Sequence, residues 1–423
     1  MNADNFQQQT SNQGSPEEVS PVLGGDPGVF SELPSILVRP GQVLAILGES
    51  GGGKSTLLSF LAGFHLQGVL VDGIVQFGNT DMTSNDRKSI CGYVPQRDLL
   101  LPYLTVKEHL HAQATLRLAS HTQKQVLDIV SETLTVFNLK KVEDSLIGHP
   151  GQGISGGERK RLSLAAECLA KPSVLVCDEP TSGSDAFTAT LLIELLLTLA
   201  KKKRKTIIVS IHQPSSALFF SFSRVMIMAR GRVAYLGRPR ECNRFFETLG
   251  YPCPNHFNPS DYYMSILSTK THQQASSTDS ASQQNDVEKV EAICNAFQVH
   301  ISALEVQHQQ QKGNSELHDV ILTTFGHKQA SIQRQMATLI TRYWRRLYRI
   351  PSAWLIGMGQ GVFFAIILSL TFRKQKMTED FNKIDVFDVN GILFAFVLAN
   401  GFQIASKTCT VFIDEFPLFL FEQ

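Results

Sequence analysis

The chain is predicted to fold as an α/β protein around a mainly parallel sheet with a phosphate-binding loop, and to continue into an α-helical membrane region. Three observations predict this. Short β-branched runs alternate with helix-period stretches from about Val29 to Leu236, which is the pattern of parallel strands covered on both faces. The segment Gly48-Glu49-Ser50-Gly51-Gly52-Gly53-Lys54-Ser55 joins one of those runs to an apolar helical stretch. Near the end, Trp354 to Phe372 is nineteen residues long without a formal charge.

In chain order, Met1 to Ser20 is polar and rich in Gln and Ser, with no apolar core region, so residues 1–28 read as a disordered tail and not as a secretory signal. Val43 to Leu47 reads as a buried strand and Thr56 to Leu61 as the start of a helix. Between them the glycines let backbone N–H groups converge on one point, and the helix adds the positive end of its dipole. Gly48, Ser50, Gly51, Gly52, Gly53, Lys54, Ser55 and Thr56 form the expected polyphosphate site. Lys54 would reach the β- and γ-phosphates, and the Ser55 hydroxyl would ligate Mg²⁺.

Further strands are expected at Ile90 to Val94, Val174 to Cys177 and Ile207 to Ile211. The second of these, Val174 to Cys177, runs straight into Asp178-Glu179-Pro180. Hard oxygen ligands suit Mg²⁺, so Asp178 at a strand end can hold the ion opposite Ser55, and Glu179 is placed to polarise an attacking water.

After Leu267 the composition turns to Ser, Thr, Gln and Asp as far as Asp286, the signature of a linker. An amphipathic stretch, Val287 to Gln311, follows, and then a basic one, Ser331 to Ile350, with Arg334, Arg342, Arg345, Arg346 and Arg349. Alone, such a basic run reads as a solvated helix face. The run Trp354 to Phe372 is long enough to cross a bilayer, with Trp354 where an interfacial aromatic belongs; Gly391 to Ile413 is a second apolar stretch that carries Asn400, Gln403 and Lys407. The basic load before Trp354 places that side in the cytosol. The expected units are residues 29–265 for the nucleotide-binding part, 266–330 for a linker with a helix, and 331–423 for a connecting helix and two membrane helices.

Composition narrows the partners. With a formal net charge of +1 over 423 residues, nothing implies nucleic acid or another polyanion. Cys91, Cys168, Cys177, Cys242, Cys253, Cys294 and Cys409 include no C-x-x-C pair, which fits a reducing compartment and argues against a zinc site or a disulfide framework.

Ile154-Ser155-Gly156-Gly157-Glu158-Arg159-Lys160-Arg161 matches the signature of the ATP-binding-cassette family, and Gln96, Asp185 and His212 fall in its remaining motifs in family order. The resemblance implies an α/β P-loop NTPase cassette, a mainly parallel sheet with a helical subdomain, followed by the start of an α-helical transmembrane domain. It implies ATP and Mg²⁺, with Ser155 and Gly157 addressing the γ-phosphate held on an opposing cassette, Gln96 meeting Mg²⁺ or the water, His212 bonding the γ-phosphate, and Asp185 among the nucleotide-binding residues. His212-Gln213-Pro214-Ser215-Ser216, Gly250-Tyr251-Pro252-Cys253-Pro254 and Asn258-Pro259-Ser260-Asp261-Tyr262 resemble the G subfamily of half-transporters, as does Phe412 to Phe421 after the second membrane helix. Within that subfamily the insect eye-pigment-precursor group and the sterol group are both similar.

The resemblance implies a half-transporter subunit in a multi-pass membrane, paired with a second half-transporter, moving a small lipophilic or pigment-precursor-like substrate across a lipid bilayer. It also marks departures. Subfamily members carry six membrane helices, whereas this sequence holds two; an alternative reading is therefore a truncated, non-transporting regulatory subunit that pairs with a complete half-transporter. Residues before Val38 are too few for the usual strands that support adenine, so the adenine contacts stay unassigned. Ser184 replaces the usual leucine beside Asp185, and Ser223 stands where an aspartate commonly follows Pro214.

Overall fold

The computed structural model describes residues 36–64, 74–77, 80–149, 151–268, 280–311 and 330–349, with a few isolated positions beyond. The expected tail at 1–28 lies outside these residues. So do most of Trp354 to Phe372 and all of Gly391 to Ile413 but Phe394; Leu355, Gly359, Gly361, Val362, Phe363, Ile366, Ile367, Leu370 and Phe394 are helical and exposed. Among the described residues no helix is long and apolar enough to cross a membrane.

A six-stranded sheet organises the fold, in the order β4 (Cys91–Val94), β5 (Val174–Cys177), β6 (Thr206–Ser210), β1 (Val43–Gly48), β7 (Arg224–Ala229), β8 (Arg232–Gly237). All neighbours are parallel except the β7–β8 hairpin. β1 and β6 are buried along their whole length, which is why the sequence shows unbroken apolar runs there and not alternation. Several expected boundaries move by one residue: β1 runs on to Gly48 and β6 begins at Thr206. Ile90 closes the helix α2 (Ser84–Ile90), and Ile211 lies beyond β6, although its N–H still donates to the Ile46 carbonyl at 3.0 Å. A separate short pair, β2 (Gln76–Phe77) and β3 (Thr80–Asp81), precedes α2.

The helix α1 (Lys54–Leu61) follows β1, and α6 (Ala186–Lys203) covers the same sheet. Three helices, α3 (Val106–Arg117), α4 (Gln123–Val136) and α5 (Gly156–Cys168), pack on one another beside the sheet and constitute the helical subdomain. Four helices open on reciprocal capping boxes, Thr83 with Asp86, Thr105 with Glu108, Thr122 with Gln125 and Ser155 with Glu158. Each satisfies two backbone donors that the first turn leaves open. Arg117 at the end of α3 binds Glu167 of α5 through two hydrogen bonds of 2.9 and 2.7 Å.

After α7 (Ser216–Ser221) and the β7–β8 hairpin come α8 (Pro239–Thr248) and α9 (Pro259–Leu267), joined by the stacked rings of Phe246 and Tyr263 with centroids 4.1 Å apart. The core does not stop at residue 265. Val290, Ile293, Cys294 and Phe297 of α10 (Ser280–Gln311) are buried in it, with Phe297 against Tyr235 and Phe245. The helix already covers residues 280–286, which the polar composition assigns to a linker; the buried face that holds it begins downstream, where composition alone does not reach.

The basic stretch forms α11 (Ile332–Arg349), and here the solvated-face reading is overturned. The arginines form the docked face: Arg349 donates to Glu108 at 2.5 and 3.1 Å and to the Tyr103 carbonyl at 2.9 Å, Arg334 donates to the Ala119 carbonyl at 3.0 Å, and Arg342 is buried. Ile332, Met336, Leu339, Ile340, Tyr343, Trp344 and Tyr348 are its exposed apolar and aromatic side chains.

Candidate nucleotide site

The phosphate loop lies at the carboxyl end of β1, between the ends of β6 and β7, where parallel α/β sheets place their ligands. Gly51 and Gly53 hold φ of +80° and +91°, a conformation that side chains disfavour. A Cβ at Gly48 would lie 2.8 Å from the Met228 carbonyl, so the strand end can close onto β7 only with glycine there. Lys54 is buried, and its ammonium donates to the carbonyls of Gly48 at 2.8 Å and Glu49 at 2.9 Å. Burial pulls the Lys54 ammonium below its ordinary value, while Glu179, Asp178 and Glu49 pull the other way. Ser55 is exposed at the head of α1, with Thr56 beside it.

Across the loop, β5 delivers Asp178 and Glu179. Asp178 is buried and accepts from the Ser210 hydroxyl at 2.7 Å; the same oxygen accepts the Glu179 N–H at 2.8 Å. Ser210 thus fixes both acids from the end of the neighbouring strand, a role that the sequence reading missed. Its only signal is a hydroxyl at the end of an otherwise apolar strand. Glu179 has a φ of +42°, strain of the kind that collects at working sites. Its carboxylate lies 4.0 Å from the Lys54 ammonium and accepts from the Gln96 amide at 2.8 Å.

A second unforeseen residue ties this corner to the helical subdomain. Lys160 of α5 donates to the Gln96 carbonyl at 2.8 Å and lies 3.2 Å from Asp98, which also accepts from Ser163 at 3.0 Å. The loop that carries Gln96 is therefore held from behind.

Ser155, Gly157 and Asp185 form a separate group. The Ser155 hydroxyl caps α5 and bonds Glu158 at 2.8 Å. Asp185 caps α6, accepting from the Thr188 N–H at 3.0 Å and its hydroxyl at 2.7 Å. The two meet at Gly157, where a Cβ would fall 2.5 Å from the Thr188 methyl. Among the described residues no hydrogen bond joins this group to the phosphate loop. His212, also exposed, lines a cavity of about 450 Å³ with Gly48, Glu49, Ser50, Asp261 and Ser265.

The donors fit a nucleotide with a hard cation. Glycines bare the backbone of the loop, and Ser55, Asp178 and Gln96 offer only oxygen toward a metal once the Gln96 nitrogen is given to Glu179. Among the described residues no cluster of three or more His, Cys, Asp or Glu could hold a metal unaided. The six described cysteines are unpaired, and burial pushes the Cys91 and Cys168 thiols up to about 12, away from thiolate chemistry.

Strand, glycine loop, buried lysine and strand-terminal acids define a phosphate-loop nucleotide-binding cassette. The ABC transporter family matches residues 34–182, and ABC-2 type transporter families match residues 212–352 and 334–423. The chain belongs to the ATP-binding-cassette transporters, a membrane protein family, and in it the ABC-2 type matches follow the cassette. Protein white of Ceratitis capitata is 36% identical over 90% of this chain and 55% of its own length. Protein scarlet of Drosophila melanogaster is 34% identical over 91% and 57%, and ATP-binding cassette sub-family G member 5 of Rattus norvegicus is 39% identical over 56% and 36%. The chain spans about half the length of the first two.

Proposed function

We propose that the chain is the ATP-hydrolysing part of a G-type half-transporter, which couples ATP binding and hydrolysis to the movement of a small lipophilic or pigment-precursor-like substrate across a membrane. The observation that carries this reading is the chain of bonds Lys54–Glu179–Gln96, with Asp178 and Glu179 both fixed by Ser210. The phosphate loop from Gly48 to Thr56 holds the polyphosphate, with Lys54 turned from its carbonyls to the β- and γ-oxygens. Ser55, Asp178 and Gln96 are the ligands for Mg²⁺, which neutralises phosphate charge when bound. Glu179 accepts the proton of the attacking water, and His212 donates to the γ-phosphate.

Ser155 and Gly157 present a capped helix N-terminus outward, suited to a phosphate held by a second cassette. The partner is therefore a second half-transporter, identical or different, with the cassettes in the cytosol. Closure can do work on a substrate only if the membrane part binds that substrate differently in its two states.

The test is phosphate release and trinitrophenyl-ATP binding by the full chain in lipid nanodiscs, wild type against Lys54→Ala. The reading expects Mg²⁺-dependent release that the variant loses together with most of its nucleotide affinity; unchanged release would overturn it.

A further inference from the structure

His212 sits in a two-residue span held at both ends. Upstream, the Ile211 N–H donates to the Ile46 carbonyl at 3.0 Å, which pins the chain to β1. Downstream, the Pro214 carbonyl accepts two side-chain bonds from the start of α9, from Asn258 Nδ2 at 2.8 Å and from Ser260 Oγ at 2.7 Å. A buried carbonyl needs one partner to be satisfied; two partners from one distant helix start also fix its direction.

The clamp is braced. Ser216 donates to Asn258 Oδ1 at 3.2 Å, which turns the Asn258 amide nitrogen toward Pro214, and Ser260 is fully buried. Tyr263 and Leu267 root α9 in the core. Between the two pins, Gln213 is held at φ +45°, a conformation that a free loop residue would leave. The same helix forms a wall of the cavity that His212 lines, through Asp261, Met264 and Ser265, with Ser268 just past its end.

We propose that Asn258 and Ser260 are positioning residues for His212: they hold the Pro214 carbonyl, and through it the strained turn at Gln213, so that the imidazole is aimed at the terminal phosphate before nucleotide arrives. This rests on the reading of His212 as the γ-phosphate donor. Neither residue lines the cavity beside the phosphate loop. They act by removing the freedom of the two-residue span, and small misplacements of a donor of this kind carry large rate penalties.

The experiment uses the full chain in lipid nanodiscs, with Asn258→Ala, Ser260→Ala, the double variant, and each combined with His212→Ala. Asn258 is half-buried, so Asn258→Ala alone keeps the buried core intact. The double variant should lose about tenfold in kcat with KM for ATP within twofold. In the His212→Ala background the same changes should cost nothing further, because there is no imidazole left to aim. Hydrogen exchange over residues 211–217 should rise in Asn258→Ala while residues 43–58 stay unchanged. Losses that add to that of His212→Ala, or exchange that stays at the wild-type level, would overturn the proposal. A wild-type chain without Glu179-dependent hydrolysis would instead overturn the ATPase reading, and the exchange measurement would still decide the clamp.

Discussion

The phosphate-loop corner and the signature corner are built by opposite strategies. In the first, the groups bond to one another: Lys54 to Gly48 and Glu49, Glu179 to Gln96, Asp178 to Ser210. In the second, each group bonds only to its own helix, Ser155 to Glu158 and Asp185 to Thr188. On the function proposed above, the first corner receives the polyphosphate, and the second, a capped helix end with an exposed face, meets the phosphate of a second cassette. Lys160 is the bridge between them, a residue of the signature helix bonded to the loop of the other corner.

Glu179→Gln is the widest test of that contrast. It should lower hydrolysis about a thousandfold while leaving ATP bound, because it removes the base and none of the loop donors; turnover at the wild-type rate would remove Glu179 from the chemistry. Ser155→Ala comes next. Loss of one phosphate donor should cost about a hundredfold in hydrolysis, and loss of the helix cap about 1 kcal/mol in stability, with trinitrophenyl-ATP affinity unchanged. If that affinity falls as far as in Lys54→Ala, the two corners are not separate.

Ser210→Ala should reduce hydrolysis about tenfold by freeing both acids at once, seen as a higher Mg²⁺ requirement at fixed ATP. Lys160→Met should cost about threefold, because the bridge positions Gln96 through its backbone and leaves the side chain in place.

The smallest effect lies in α3, which packs on the signature helix α5. Burial, with Arg342 and Arg117 nearby, pushes the His109 imidazole down to about 3 from an ordinary 6.5. The unfolded chain therefore binds a proton that the folded chain refuses, and the stability present above about pH 6.5 is lost as pH falls toward 3. Melting temperatures at pH 7.5 and 5.0 should drop more for the wild type than for His109→Gln; equal drops would mean that the site opens to solvent.

Most of the first corner was legible in the sequence because its residues fall in consecutive runs, while Gln96 came only with the family resemblance. A glycine loop and an Asp-Glu pair announce themselves within one element, as do the strands that carry them. The second was legible only through family resemblance, since a capped helix start has many uses. What stayed hidden depends on which strand lies beside which. Ser210 matters because β6 is the neighbour of β5, and Lys160 because α5 passes behind the Gln96 loop. For α11 charge pattern pointed the wrong way, because its arginines answer to carbonyls and a carboxylate more than two hundred residues earlier in the chain.

The helix α3 is gripped at both ends by paired bonds. At one end it supplies the carboxylate, Glu108, to Arg349 of α11; at the other it supplies the guanidinium, Arg117, to Glu167 of α5. Each two-pronged grip sets a plane as well as a distance, so α3 is keyed at both ends like a drive shaft about 18 Å long. A turn of α5 about that axis would arrive at α11 as torque, and because guanidinium groups keep their charge, the arginine half of each key stays engaged at any physiological pH.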